Sequence, residues 1–415
     1  MPNKRFDLKA ALLGLATLTL ILSACDTGGA ASTAPTATSA PSGNAVVASP
    51  TTAGGSMVMT GTTSMGGNMS GTVMLGAALS LSKAAKVYGD SQSNAIKMAM
   101  DEINAMGGIN GKQLTIDIQD DASDPTQAAT VYQKFINDKV IAIIGPTLSN
   151  SAQTADPLAQ QAQIPVLAVS NTAGGIVDIG DYIFRDSLSE AQVIPNTIKV
   201  AKAKLNLSKV ALIYGDDDAF TKSGYTVFKK ALSDNGISIT TEQTFKKGDA
   251  SFSAQITAIK GTSPDAIVAS ALLNEGEGVV KEARSQGLTI PIIGGNGFNS
   301  AKLISDLGQQ AEGVYVGAAW NSAGGNQLSQ DFVKNYTAKY GKAPDQFAAQ
   351  AYSGVYILAD ALKRAKSMSG PDVRDALKAT HLTTVLGDFS FLPTRDANHT
   401  PVVQMVQGGK FVVVQ

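Results

Sequence analysis

The chain is poor in the residues on which many enzymes and metal proteins rely. Among 415 residues there is one cysteine, Cys25, one tryptophan, Trp320, and two histidines, His381 and His399. A lone cysteine excludes an internal disulfide framework and any Cys-based zinc site. Neither HExxH nor a GxSxG nucleophile elbow occurs, and no GxxxxGK[ST] phosphate loop is present. An excess of either charge is missing too: 33 Lys and Arg face 34 Asp and Glu, a formal net charge of −1. Such a balance gives no reason to expect a nucleic-acid partner, which calls for a basic face. The acidic runs Asp120–Asp121 and Asp216–Asp217–Asp218 offer an acid–base pair in principle, but carboxylates at strand ends more often serve turns and helix starts. No catalytic residue, metal or cofactor is therefore expected.

What is present begins at the N-terminus. MPNKRFDLK supplies a basic segment and AALLGLATLTLILSA an apolar one, the pattern of a secretory signal peptide over residues 1–24. The stretch LSAC, Leu22 to Cys25, resembles the lipobox of bacterial lipoproteins, in which the cysteine is lipidated and becomes the mature N-terminus. An ordinary signal peptide followed by a free thiol is the alternative. From Thr27 to Ser82 no residue is charged. Residues 26–72, rich in Ser, Thr, Gly and Met, have the composition of a disordered linker, with a root-mean-square reach of roughly 40 Å. Within it, the thioethers of Met57 to Met69 are candidate ligands for a soft metal, although without His or Cys support they are more often incidental.

From Val73 strands and helices alternate. VMLGAAL, QLTIDIQ, VIAIIG and IPVLAV read as strands, separated by helices over Ser93–Met106, Asp124–Asp138 and Ser149–Ala162. Asp124 followed by Pro125 is a helix start, and Ala128, Val131, Tyr132, Phe135 and Ile136 form its core-facing stripe. The strands are continuous apolar runs, which marks a parallel sheet covered on both faces. A second series follows through KVALIYG, ISITTEQTF, DAIVAS and TIPIIGG, and helices dominate from Leu328 to about Lys378. TPVVQMVQGGKFVVVQ closes the chain as a β-hairpin around Gly408 and Gly409. The expected fold class is α/β, with two doubly wound Rossmann-like lobes whose strand ends line a common crevice.

Four loops follow apolar strands and would crowd that crevice. In PTLSNSAQ, Ser149 stands at a helix start, either as a cap or where free N–H groups favour an anion. PVLAVSNTAGG presents Ser170 and Thr172; GDDDAF and GGNGF are the other two loops.

Here the residues meet a known family. YGDSQSNAIKMAMDEINAMGGINGKQLTIDIQDDASDPTQA (Tyr88 to Ala128) resembles the opening of the branched-chain amino acid (Leu/Ile/Val-type) substrate-binding proteins of ABC transporters. IIGPTLSNSAQTADPLAQQAQIPVLAVSNTAGG, DYIFRDS, LIYGDDDAFTKSGYTVFKKAL and IIGGNGF continue in the family's order, so the resemblance covers Val73 to Gln415. It implies a type I periplasmic-binding protein fold with three crossovers, near Arg185–Glu190, Ala319–Ser322 and Thr384–Asp388. Lobe 1 would comprise residues 73–189 and 321–385, lobe 2 residues 190–320 and 386–415. The family's carboxylate-holding positions fall on Ser149, Ser170 and Thr172, and its cleft aromatics on Tyr88 and Phe220. Asn296 stands where the family usually has Asp or Glu against the ligand's ammonium group, and Leu272 and Leu273 replace common aromatics. Glu275, close by, is a candidate for the missing carboxylate. Trp320 either faces the cleft or packs in the core.

The resemblance implies an exported, lipid-anchored monomer on the outer face of the cytoplasmic membrane. Its expected partners are ABC permease subunits, the membrane through its N-terminal lipid, and an amino acid, amide or small carboxylate ligand. A ligand sensor serving a signalling protein is the alternative from another class, and an exported hydrolase a more distant one.

Overall fold

The computed structural model describes residues 71–414. The signal peptide, Cys25, Met57–Met69 and the linker as far as Ser70 lie outside the described residues. Strand β1 (Thr72–Leu79) leads into α1 (Lys86–Ala105), followed by β2 (Gln113–Asp120), α2 (Pro125–Asn137), β3 (Ile143–Ile144), α3 (Ser149–Gln161), β4 (Val166–Ala168) and β5 (Ile183–Arg185). These strands form one all-parallel sheet in the order β2-β1-β3-β4-β5. Helix α2 starts as its sequence dictates: Asp124 Oδ1 accepts the Gln127 N–H at 2.9 Å and Pro125 occupies the first turn. Helix α1 begins seven residues before the expected Ser93, which places Tyr88 on the helix.

The second series runs α4 (Glu190–Leu205), β6 (Lys209–Gly215), α5 (Ala219–Asp234), β7 (Ser238–Phe245), α6 (Ser253–Gly261), β8 (Ala266–Ser270), α7 (Leu273–Ser285), β9 (Ile292–Gly294), α8 (Ala301–Leu307) and β10 (Val314–Ala318). The chain then returns to the first body through α9 (Gln327–Tyr340), α10 (Gln346–Arg364) and α11 (Gly370–Lys378). Strands β11 (His381–Thr384), β12 (Gly387–Phe391) and β13 (Ala397–Asn398) make a small antiparallel sheet, and β14 (Val402–Gln407) and β15 (Lys410–Val413) complete the second large one. That sheet has the order β15-β14-β10-β9-β8-β6-β7, parallel from β7 to β10 and antiparallel at β14 and β15. Gly408 and Gly409 join the last two strands, both with positive φ (61° and 73°), as a two-residue turn matched to strand twist requires.

Each of the two large sheets has a core on both faces, and the period-two alternation of its strands decides which side chain goes where. In β1, Val73, Leu75, Ala77 and Leu79 enter the core under α1 and α10, whereas Ala78 enters the core under α2 and α3. In β6, Val210 and Leu212 face α4 and α5, and Ala211 and Ile213 face the opposite core with Ile256 and Val279.

The boundary near residue 386 differs from the sequence reading. Residues 387–398, assigned above to lobe 2, pack on lobe 1: Phe389 and Ala397 belong to its core, and Phe391 meets Phe184 edge-on at 5.1 Å. Asp396 pairs with the buried Arg185 at 2.6 Å, and Arg395 donates to the carbonyls of Ile183 and Val177. An antiparallel pair joined by a tight turn must stay with its partner strand, and β11 is held on lobe 1. The third passage therefore lies at residues 399–401, not at Thr384–Asp388, with His399 Nε2 3.3 Å from the Asp186 carbonyl of the first passage.

Candidate functional site

The C-terminal ends of the parallel strands in both sheets face one another across a closed crevice, the general ligand location in such sheets. Lobe 1 contributes the segment from β3 to α3, the segment after β4, and the N-terminal ends of α1 and α10. Lobe 2 contributes the segments after β6, β8 and β9. Between them lies a cavity of about 20 Å³, room for about one water.

Several hydrogen bonds hold the two lobes closed. The Tyr88 hydroxyl donates to the Gly297 carbonyl at 2.9 Å and accepts the Leu273 N–H at 2.7 Å. Asn150 uses both ends of its amide on the start of α5, donating to Asp218 Oδ2 at 3.0 Å and accepting from the Ala219 N–H at 2.6 Å. The Gly174 N–H donates to Ser223 Oγ at 2.9 Å. Gly297 permits this approach, because a Cβ there would meet the Ala271 carbonyl oxygen at 2.3 Å.

Seven of the eight expected ligand residues line the cavity: Tyr88, Ser149, Ser170, Thr172, Phe220, Leu272 and Asn296. Their states differ from what the sequence suggests. Ser149 is not the cap of α3, a position taken by Leu148; it is the first helical residue, and its Oγ accepts the Ala173 N–H at 3.2 Å. That leaves its proton without an acceptor among the described residues, beside the free N–H groups of the α3 N-terminus. Ser170 donates its proton to the Thr147 carbonyl at 2.7 Å, so its hydroxyl braces the wall instead of facing an anion as a donor. Thr172 donates to Glu190 Oε1 at 2.8 Å.

Glu275 is not at the cavity. Its Oε1 accepts the Gly248 N–H at 2.8 Å, tying α7 to the segment after β7, so it does not replace the missing acid. The Asn296 side-chain oxygen is also occupied, accepting from Gln346 Nε2 at 2.5 Å, while Gln346 Oε1 takes the Ala319 N–H at 2.7 Å. Trp320 packs in the lobe 1 core against Phe332 and donates to Ser329 Oγ at 2.8 Å, away from the cleft. The acidic runs act in turns and caps: Asp121 accepts from Ser80 Oγ and Asp218 caps α5.

The carboxylate that sequence reasoning missed is Glu190, the first residue of α4. It lines an adjoining space shared with Asn296 instead of the cavity itself, buried between Thr172 of lobe 1 and the Asn296 backbone of lobe 2, and burial pushes its carboxyl up to about 7 despite the Thr172 hydrogen bond and nearby Arg185. Arg185 itself is held by Asp396 and by the Ala173 carbonyl at 2.8 Å, which fixes the loop carrying Thr172. Phe347, which packs at a tilt against Tyr88 with 4.4 Å between ring centroids, completes the apolar wall with Phe220 and Leu272. Glu190 reads in sequence only as a helix start after a crossover, and Phe347 as one more core position of α10. Among the described residues no group of His, Cys, Asp and Glu is arranged to hold a metal ion, and no helix is long and apolar enough to cross a membrane.

Residues 72–410 match the family model described as periplasmic binding protein. The leucine-, isoleucine-, valine-, threonine-, and alanine-binding protein of Pseudomonas aeruginosa is 27% identical over 305 residues, 73% of this chain and 81% of that protein. The crystal structure of the branched-chain amino acid transporter substrate-binding protein LivJ of Streptococcus pneumoniae, in complex with isoleucine, is 29% identical with a TM-score of 0.78, covering 83% of this chain and 99% of that one. A solute-binding protein of an ABC transporter from Rhodopseudomonas palustris, in complex with 3,4-dihydroxybenzoic acid, is 25% identical with a TM-score of 0.77, covering 83% and 96%.

Proposed function

Since the chain belongs to the periplasmic binding protein family, we propose that it is the extracytoplasmic solute-binding receptor of an ABC importer, and that its ligand is an apolar α-amino acid. The observation that carries the ligand class is the polarity of the crevice walls, which part to admit a ligand larger than the one-water space now between them. The free N–H groups of α3 and the Ser149 hydroxyl suit a carboxylate. Glu190, which lines the adjoining space behind Thr172 and Asn296, is the acid for an ammonium group, and Phe220, Leu272 and Phe347 suit an apolar side chain. The N-terminal lipid on Cys25 holds the receptor at the membrane as a monomer, the linker lets it reach its permease, and binding proceeds without catalysis. The amino acids bound by the Pseudomonas and Streptococcus proteins support this reading, whereas the aromatic acid of the Rhodopseudomonas protein does not.

A second reading rests on the raised Glu190 carboxyl, which in protonated form donates a hydrogen bond to an amide or a carboxylate and needs no ammonium partner. Calorimetry of the mature protein against apolar amino acids, amides and small aromatic acids tests both. An ammonium group favours ionised Glu190, so below about pH 7 an amino acid should expel a proton on binding. Heats measured in buffers of different ionisation enthalpy should then diverge. Binding without proton release supports the amide or acid, and no binding across the whole panel overturns the receptor reading.

A further inference from the structure

Lobe 1 carries a second cavity that shares no lining residue with the crevice. It encloses about 320 Å³ between the C-terminal part of α1, the helices α9 and α10, and the strand β11, within the range of small-molecule pockets. Three aromatic rings form one wall: Phe332 lies 4.6 Å from Tyr352, and Tyr352 lies 5.0 Å from Tyr356, between centroids. Both tyrosine hydroxyls donate to Glu102 Oε2, that of Tyr356 at 2.8 Å. Asp331 lines the cavity as well, and no Lys, Arg or His does. Lys339, in the neighbourhood, is engaged by Asp101 at 2.8 Å. Ser353 lines the same space, is 1% exposed, and its Oγ has no partner among the described residues. Two exposed apolar side chains, Met106 and Leu328, also line it.

We propose that this groove binds a small organic cation, an amine on an apolar body about the size of a phenethyl group. The ammonium group lies toward Glu102 and Asp331, and the body lies along the rings, which attract a cation as well as an apolar surface. A bare inorganic cation would leave the apolar wall unused, and an anion would face two acids.

The test is calorimetry of the mature protein with 2-phenylethylamine and its neutral counterpart 2-phenylethanol. The amine should bind roughly tenfold or more tightly than the alcohol, as expected for a charge-assisted contact beside aromatic rings. Glu102→Gln should remove that advantage, the rim variant Asp331→Asn should reduce it without disturbing the fold, and Thr172→Val in the crevice should leave it unchanged. Equal binding of amine and alcohol, no binding of either, or loss of the amine signal in Thr172→Val would overturn the proposal. Loss of transport with a reconstituted permease in Leu328→Glu, with no amine binding in the wild type, would make the groove a protein-docking surface instead.

Discussion

The two walls of the crevice are built differently. On the lobe 1 side, beside the apolar surface of Tyr88, Leu148 and Phe347, polar groups hold one another: Ser170 on the Thr147 carbonyl, Asn171 on the Pro146 carbonyl, Ser149 on the Ala173 N–H, and Thr172 on Glu190. On the lobe 2 side the cavity meets Phe220, Leu272 and an Asn296 oxygen already taken by Gln346. A wall of interlocked hydroxyls and backbone groups has few alternative arrangements, because changing one member leaves another buried group unpaired. The lobe 2 wall is largely apolar surface, where a substitution changes shape and volume before it changes hydrogen bonding. The braced wall suits the part of a ligand common to a chemical class, and the apolar wall suits the part that varies.

The sharpest way to break this contrast is at Glu190, which joins the walls. Glu190→Leu should weaken an amino acid ligand by about 100-fold or more, since truncating one partner of a buried charged pair costs roughly 2–5 kcal/mol. Calorimetry checks this; unchanged affinity would show that the ligand has no ammonium group at that position. Tyr88→Phe comes next. It removes the phenol from Gly297 and leaves the Leu273 N–H unpaired in the closed form, so affinity should fall by roughly tenfold, about 1–2 kcal/mol. The melting temperature of the empty protein should change little, because each lobe keeps its own core.

Smaller still, Asn296→Asp adds a carboxylate that can still accept from Gln346, and should tighten an ammonium ligand several-fold. A loss of affinity there would mean that the second carboxylate repels Glu190 more than it attracts the ligand. The smallest effect separates two serines on the same wall. Ser149→Ala should weaken a carboxylate ligand measurably. Ser170→Ala should cost about 1 kcal/mol of stability, read from denaturant unfolding, and leave affinity nearly unchanged. The reverse order would overturn the distinction between a bracing hydroxyl and a free one.

The sequence carries the architecture because the signals for it are local. Continuous apolar strands, the Asp124–Pro125 helix start and the Gly408–Gly409 turn each act within a few residues, and each appears where the pattern puts it. Much of the crevice lining is legible for a related reason, since loops after parallel strands must meet at one edge. What is not legible depends on distant pairings. Glu190 comes to lie behind the cleft wall only because the first passage carries α4 under both Thr172 and Asn296. Phe347 reaches Tyr88 only through the packing of α10 beside α1. Glu275, close to the cavity-lining Leu272 in sequence, is held away by the Gly248 backbone. The lobe of residues 387–398 is decided by Arg185 and Phe184, some two hundred positions earlier, and no local pattern marks that choice.

The Tyr88 clasp has a consequence for how such a receptor can diverge. Its hydroxyl grips only main-chain atoms of lobe 2, the Gly297 carbonyl and the Leu273 N–H. Leu272 and Leu273 can therefore be exchanged for other side chains without touching the closing contact itself. The machinery of shutting and the vocabulary of what is shut in are written in different atoms. A lineage could acquire a new diet by rewriting one wall of the cleft while inheriting the clasp unchanged.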